Sequence, residues 1–556
     1  MLKSPGEFKS EDLPKKTMPN WKLAGPGVIL VGLSIGAGEI VIWPRIVAEY
    51  GATMVWAAAV GVFLQMWINI EIGRWTIATG ETVYTGYCRV WRGFAPLFIL
   101  LTLLAWLAPG WGRASGLALK ALLVGPGGWG SDTFWTAVTF AGVAVVLFGP
   151  KIVYKGVERT VGALVVLITV GLILVALSVG SAQTWRDLGK GMINVGHVEP
   201  EGKRWLREKK LEKADVAAAV HQLDEGELLE DLRRSLEKDL DLPVYTLDKG
   251  VTFDTVDPGR QWTMKVGETR YPIAYTGEAL IATTPPLTAK AFFIALVFAG
   301  AGGTANLFYT FYLRDKHIGM GARIASMPNP LRGGSQKIAA IGYRFEDNDV
   351  NRRRFRGWWG FVCQDQILYF WLLNSLTMLL FIFGALAVLH PHAMVPGRGS
   401  LIWDQAQVLF EVWGPTGRTI FLLVGVATLF STQLALIDGV SRSIADIVYT
   451  NFRGADKRDV SWWYMIVAAG WIVAGCAITF AMEQMNVSEL GFLFNAAYMG
   501  GFAMAVYVPL TLYINWRYLP RSARPGALCS SMMVIASLVY VGFAITCIVW
   551  EIGKRF

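Results

Sequence analysis

Charge is scarce in this sequence. Asp, Glu, Lys and Arg together make up 17% of its 556 residues, where a soluble domain carries about a quarter. That shortage argues against a large water-soluble domain. Cysteine is scarce too. Cys88, Cys363, Cys476, Cys529 and Cys547 are odd in number and form no CxxC pair, which argues against a disulfide framework or a zinc site. Only five histidines occur. His390 and His392 make an HPH pair, and two ligands without a third are not a zinc centre. No HExxH and no phosphate-binding loop is present, so no enzyme activity is expected. A cleavable signal peptide is also missing, because the first 20 residues are polar and contain lysines.

What the chain has in excess is apolar residues, at 54%, and tryptophan, at 23. The apolar residues fall into runs of about 20, the length a helix needs to cross the hydrocarbon core. Tryptophan collects at membrane interfaces. Spans are expected near 23–44, 52–77, 95–123, 133–150, 158–181, 288–312, 361–389, 417–440, 461–482, 490–515 and 526–550. The net charge of +9 does not indicate nucleic acid. The basic residues lie in short loops between apolar runs, with no basic, aromatic-rich patch on a soluble segment.

Those loop charges predict an orientation. Arg89 and Arg92, Lys151 and Lys155, Arg352 to Arg354 with Arg356, Arg442 to Arg458, and Arg517 to Arg524 all fall on one side. The positive-inside rule makes that side cytoplasmic. The expectation is a protein of the plasma or inner membrane, with the N-terminus inside and the C-terminus outside. The divisions are a tail at 1–20, spans one to five at 21–181, an outer insertion at 182–287, spans six to ten at 288–515, and the last span with the C-terminus at 516–556. Within the insertion, Ala214–Leu240 reads as an amphipathic helix and Val244–Tyr275 as short strands. It could be passive, or a lid or partner surface.

Polar residues and helix breakers inside lipid are costly and usually functional. In span one, Gly36, Ala37 and Gly38 precede Glu39. In span six, Gly300, Gly302 and Gly303 precede Thr304 and Asn306. Irregular backbone at that depth belongs where it lines a cavity or is buried in protein. Two breaks five spans apart match a five-plus-five inverted repeat. Glu39 is a candidate ligand, metal site or proton carrier; the other reading is glycine packing with Glu39 bonded to a neighbour. Arg113, Asp438 and Asn495 are further polar candidates, Arg113 and Asp438 for coupling or gating and Asn495 for binding. Each could instead be a structural bridge. Phe308, Tyr309 and Phe311 could face an organic solute or merely pack.

Several segments carry a family resemblance. "GPG" at 25–27, "FLQMWINIEIGRWTIATGE", "YKGVERTVGAL" at 154–164 and "LFSTQLALIDGVSRSIADIVYTNF" occur in this order. On these the chain resembles the Nramp family of divalent-metal transporters over nearly all its spans. The resemblance implies an all-α integral membrane protein of about eleven transmembrane helices. It also implies the leucine-transporter-like fold, with helices one and six broken and the site between them, beside a small α+β insertion outside the membrane. The family's Asp-Pro-Gly-Asn reads here as Gly36, Ala37, Gly38 and Glu39, and its Met-Pro-His-Asn as Gly303, Thr304, Ala305 and Asn306. The metal-binding Asp, Met and His are therefore missing. An oxygen-only donor set suits a hard or hydrated divalent cation, and that is the first expectation, with Glu39 as ligand. The alternative is a small organic solute, an amino acid or amine, in the enlarged pocket. No cofactor is expected beyond a coupling proton or sodium ion. Expected partners are the lipid bilayer and the transported solute, with no nucleic acid and no obligate protein.

Overall fold

The structure is a computed structural model. It describes residues 2–553 apart from 108, 200, 209–250, 258–260, 267–268, 276–278, 285, 330, 332–341, 393, 397–400, 486 and 488. Each expected span coincides with a helix or with two half-helices. Span one runs Pro26–Ser34, breaks, makes the wide turns of Ala37–Ile42, and resumes as Trp43–Tyr50. Pro26 stands at the opening of its helix, where a missing N–H costs nothing. Gly51, at φ 72°, turns the chain into span two, Val55–Thr79. Gly80 ends that helix in the left-handed conformation that glycine adopts freely.

Span three is Phe94–Trp106 and Gly110–Val124, span four Asp132–Phe148 and span five Val153–Val179. Span six is split into Ala289–Val297, a tight turn at Gly303–Phe308, and Tyr309–Asp315. Span seven is Asp349–Leu389, span eight Gln407–Asn451, span nine Val460–Gln484, span ten Glu489–Tyr518 and span eleven Ala527–Gly553. Ser131, Thr288 and Asn348 cap the helices that follow them by accepting from backbone N–H groups three residues on.

Two boundaries differ from expectation. Span eight was expected at 417–440 but extends in both directions, through a kink at Gly414 (φ 57°) before Pro415 and on to Asn451. Residues 441–451, expected as loop, stay helical because their polar side chains are buried against partners. Arg442 pairs with Asp438, and the Ser443 hydroxyl donates to the Gly439 carbonyl. Span seven likewise begins at Asp349, before its apolar run starts.

Among its described residues, the insertion holds a helix at Ala182–Ile193 and a five-stranded antiparallel sheet. Its strands are Gly202–Glu208, Val251–Asp257, Gln261–Val266, Thr269–Tyr275 and Ala279–Thr284. In space the first strand pairs with the last, and the three between follow in reverse chain order. The expected helix at Ala214–Leu240, and the start of the expected strand region, lie outside the described residues.

Contacts group the loops onto two faces. Lys9 and Ser10 form a short parallel ladder with Tyr343 and Arg344, and Lys3 pairs with Asp456. The Tyr518 hydroxyl donates to the Arg89 carbonyl, and the Ser522 N–H to Asp347. The N-terminal tail and the arginine-rich loops therefore share one face. The segment entering the insertion lies on the other, where the Trp56 indole reaches the His197 carbonyl and the Glu199 N–H reaches Thr53. Apolar side chains on the outside of the bundle, such as Leu177 (77% exposed) and Leu538 (70%), mark surface that faces lipid. The chain is an integral membrane protein.

Candidate functional site

The first break begins where the helix loses its backbone donors. The carbonyls of Gly32 and Leu33 are met instead by the hydroxyls of Ser431 and Thr432 from span eight. This is how a span tolerates irregular backbone in lipid. Gly36 has to be glycine, because a β-carbon there would stand 1.9 Å from Thr432 Oγ1. A β-carbon on Gly38 would stand 2.2 Å from the Phe298 carbonyl oxygen. The two broken spans thus touch at their breaks. Ala37 opens the wide turns between these glycines.

The second break is held from outside by span two. The Gln65 amide donates to the Val297 carbonyl (2.9 Å) and accepts from the Gly302 N–H (3.0 Å) and the Asn306 amide (3.2 Å). Tyr507 of span ten donates to the Gly303 carbonyl (2.8 Å) and accepts from Asn306 (3.2 Å). Trp106 of span three donates to the Thr304 hydroxyl (2.9 Å), and its ring stacks on Phe298. Gly302 and Gly303 both have positive φ, 68° and 50°, which side chains rarely adopt. The polar groups expected to bind solute here, Thr304 and Asn306, are largely engaged in holding the break open.

A cavity of about 20 Å³ lies where the breaks meet, measured as the space open to the centre of a water-sized sphere. That is room for one water. Trp106, Trp111 and Phe298 supply aromatic walls; Leu33, Leu436 and Leu493 supply aliphatic ones. Polar lining comes from Ser34 and Thr432. Ser34 Oγ and Trp111 Nε1 have no hydrogen-bond partner. Gly32 to Gly36 also match the GxSxG spacing of a serine-hydrolase elbow. Here the serine sits in a membrane helix beside no base, and the match is spacing alone.

Glu39 is fully buried but does not line this cavity. It lies beside Thr377 of span seven, and neither carboxyl oxygen makes a hydrogen bond of acceptable geometry. The residues assigned from sequence thus fall on two sides of the first break, with Gly38 at the cavity and Glu39 against span seven.

Three candidates lie elsewhere. Arg113 pairs with Asp132 at 2.9 Å and donates to the Val487 carbonyl at 2.7 Å. Lys120 shares that aspartate, whose N–H is held by Glu483. This joins spans three, four and nine at the outer end. Asp438 is clamped by the Arg442 guanidinium at 2.8 and 2.9 Å and by the Tyr464 hydroxyl. Arg442 also reaches Asp315 at the inner end of span six. Asn495 is exposed on span ten and is not part of the cluster at the breaks. Phe308, Tyr309 and Phe311 do not line the cavity. Phe308 packs on Gly439, Tyr309 donates to Asp365, and Phe311 stacks on Tyr84.

Sequence reasoning missed Gln65, Trp106, Trp111, Asn374, Thr377 and Tyr507. Gln65 and Asn374 carried a readable signal, an amide in the middle of an apolar run. The aromatic residues carried none, because an indole or phenol in a span is ordinary. Polar contacts also tie the outer and inner halves of the broken spans to their neighbours. Outside, Gln405 donates to the Ile40 carbonyl, Arg45 to that of Pro396, and His390 contacts that of Ala48. Inside, Arg314 pairs with Asp446 and Lys316 with Glu158.

A membrane bundle whose first and sixth spans break at facing points has the leucine-transporter architecture. Among solved structures, the chain is similar to the manganese transporter of Eremococcus coleocola. With that protein bound to an aromatic bis-isothiourea compound, the match covers 98% of this chain and 90% of that one, at TM-score 0.57 and 13% identity. With a point mutant of the same protein it covers 100% and 92%, at TM-score 0.57 and 14% identity. Likeness at this identity is likeness of fold. No protein-family model matches the chain. No curated protein matches it.

Proposed function

We propose that the protein is a secondary transporter working by alternating access, and that it carries a small organic solute at the two breaks, where the cavity of about 20 Å³ has to widen to admit it. The architecture supports the first part. Two half-helix pairs meet around a small cavity, and separate sets of contacts hold the half-helices on its outer and inner sides. In the proposed orientation, the arginine-rich face is cytoplasmic and the insertion is outside.

The observation that carries the choice of solute is the lining. Three aromatic rings surround two unpaired polar atoms, and one of these, Trp111 Nε1, is a donor only. A donor inside an apolar, aromatic cavity suits a solute with an apolar body and an acceptor, as in an amino acid. Aromatic faces also favour an ammonium group. The side chains lining the cavity offer a divalent cation two hydroxyl groups and no carboxylate, so the loss of its water would be poorly offset. The divalent-cation reading keeps Glu39 as its support, but that carboxyl faces the other way.

Uptake into proteoliposomes tests the choice, with amino acids and amines set beside Mg²⁺, Mn²⁺ and Ca²⁺. Saturable organic uptake, weakened in Trp111→Leu, is the expected result. Saturable divalent uptake lost in Glu39→Gln, with no organic uptake, would overturn it.

A further inference from the structure

A surface that merely faces lipid needs only apolar side chains. One groove on the outside of the bundle has more. It runs between the halves of spans ten and eleven that adjoin the arginine-rich face. Its volume is about 460 Å³, measured as the space open to the centre of a water-sized sphere. Pro509, Tyr513 and Trp516 line it from span ten; Val534, Leu538 and Val541 line it from span eleven. On each helix these residues are three or four apart and share one face. Ser537 also lines it, with its hydroxyl donated to the Met533 carbonyl of its own helix.

The groove ends in polar groups. Trp516 donates its indole N–H to the Ser530 hydroxyl at 3.2 Å and ties the two spans together there. Arg517 stands one turn beyond Tyr513, four residues on along the groove face. Its guanidinium lies 5.8 Å from the Tyr518 ring. Arg521 opens the short turn Arg521–Ala523 that leads to span eleven. Both arginines are exposed, and among the described residues neither pairs with an acid. Glu71 and Asp347, whose bonds reach Asn515 and Ser522, are held by Arg74 and Arg352. Span eleven has no acid in its first turn, so no side chain there offsets the positive end of its dipole.

An apolar trough that ends at two unmatched cations complements an amphiphile with an acyl chain and an anionic head. Basic residues beside a span attract anionic lipid. A zwitterionic head would bring an ammonium group to the same arginines and forfeit much of that attraction. We infer that this groove binds one anionic phospholipid, with an acyl chain along Tyr513 and Leu538 and its phosphate at Arg517 and Arg521. The site lies apart from both breaks and does not depend on the transporter reading.

The full chain in maltoside detergent is titrated with phosphatidylglycerol or with phosphatidylcholine of the same chain length. Bound lipid is counted by native mass spectrometry, and melting temperature is followed beside it. Phosphatidylglycerol should be retained and should raise the melting temperature saturably; phosphatidylcholine should do so only weakly. Arg517→Gln combined with Arg521→Gln should lower the apparent affinity for phosphatidylglycerol by roughly tenfold or more, as for two basic residues near an anionic head. Leu538→Trp fills the groove from a position that is exposed and should remove the retained lipid. Arg353→Gln, exposed on the same arginine-rich face, should change neither readout. Equal retention of the two lipids, a preference that survives loss of both arginines, or an equal effect of Arg353→Gln would overturn the site. So would a dimer that Leu538→Trp dissociates, since a second copy of the chain would then occupy the groove.

Discussion

The two breaks look alike in sequence and differ in how their polar groups are used. At the sixth span, Gln65, Tyr507 and Trp106 reach in from three other spans and engage the glycine backbone, Thr304 and Asn306. At the first span, two hydroxyl groups of span eight hold the backbone, and the one ionisable side chain is left unpaired. Buried polar groups are nearly always bonded, so the exceptions ask for an explanation. The comparison teaches that the sixth break is braced from three other spans, with Asn306 Oδ1 left over, whereas the first break keeps the Ser34 hydroxyl and the Glu39 carboxyl outside its bracing. Structure and function are divided between them.

The largest expected effect is at the braced side. Gln65→Leu would take from the Gly302 N–H and the Val297 carbonyl the partner that holds them in the protein interior. Each unsatisfied group costs about 1–3 kcal/mol, so a loss of roughly 2–6 kcal/mol is expected. Thermal unfolding in detergent measures it. An unchanged melting temperature would erase the distinction between the breaks. Gly303→Ala comes next. It places a side chain at φ 50° with its β-carbon 2.8 Å from Gly500 Cα, and about 1–3 kcal/mol of strain is expected from overpacking, visible in the same assay.

Glu39→Gln should do the opposite. Thr377 beside it can bond a glutamine amide as readily as a carboxyl, so stability should stay unchanged or rise slightly in the same assay. A strong destabilisation would mean that Glu39 is a structural group like Gln65. The smallest effects belong outside both breaks. Asn495→Ala, on an exposed face, should change neither uptake nor melting temperature.

Asp347 offers a pH control on the arginine-rich face. Burial pushes its carboxyl up, but the Ser522 and Arg352 hydrogen bonds outweigh that and hold it below the usual value of 3.8. A depressed carboxylate contributes stability above its unfolded pKa and loses it as pH falls through the folded value. Asp347→Asn should therefore lower the melting temperature slightly at neutral pH. The gap should close below pH 3.8.

The helices were legible in the sequence because lipid enforces a simple rule. A run of about 20 apolar residues is sufficient to mark a span, and glycines beside polar residues are sufficient to mark a break. The ends of spans seven and eight were not legible, since Asp349 and Arg442 are polar and hydropathy cannot tell a loop from a helix whose charges are paired. Arg113 shows the same limit. Its partner Asp132 lies across a turn on another span.

What the sequence determined by itself was the class of molecule, an all-helical membrane protein with two breaks five spans apart, and the identity of Glu39 as a charge that lipid alone would not tolerate. What only the tertiary structure decided was the use of each polar group. A side chain's neighbours in a bundle come from other spans, hundreds of residues away in the chain, and its direction around the helix decides which of them it meets. Glu39 and Gly38 are adjacent in sequence, yet that direction sends one towards Thr377 and leaves the other at the aromatic cavity.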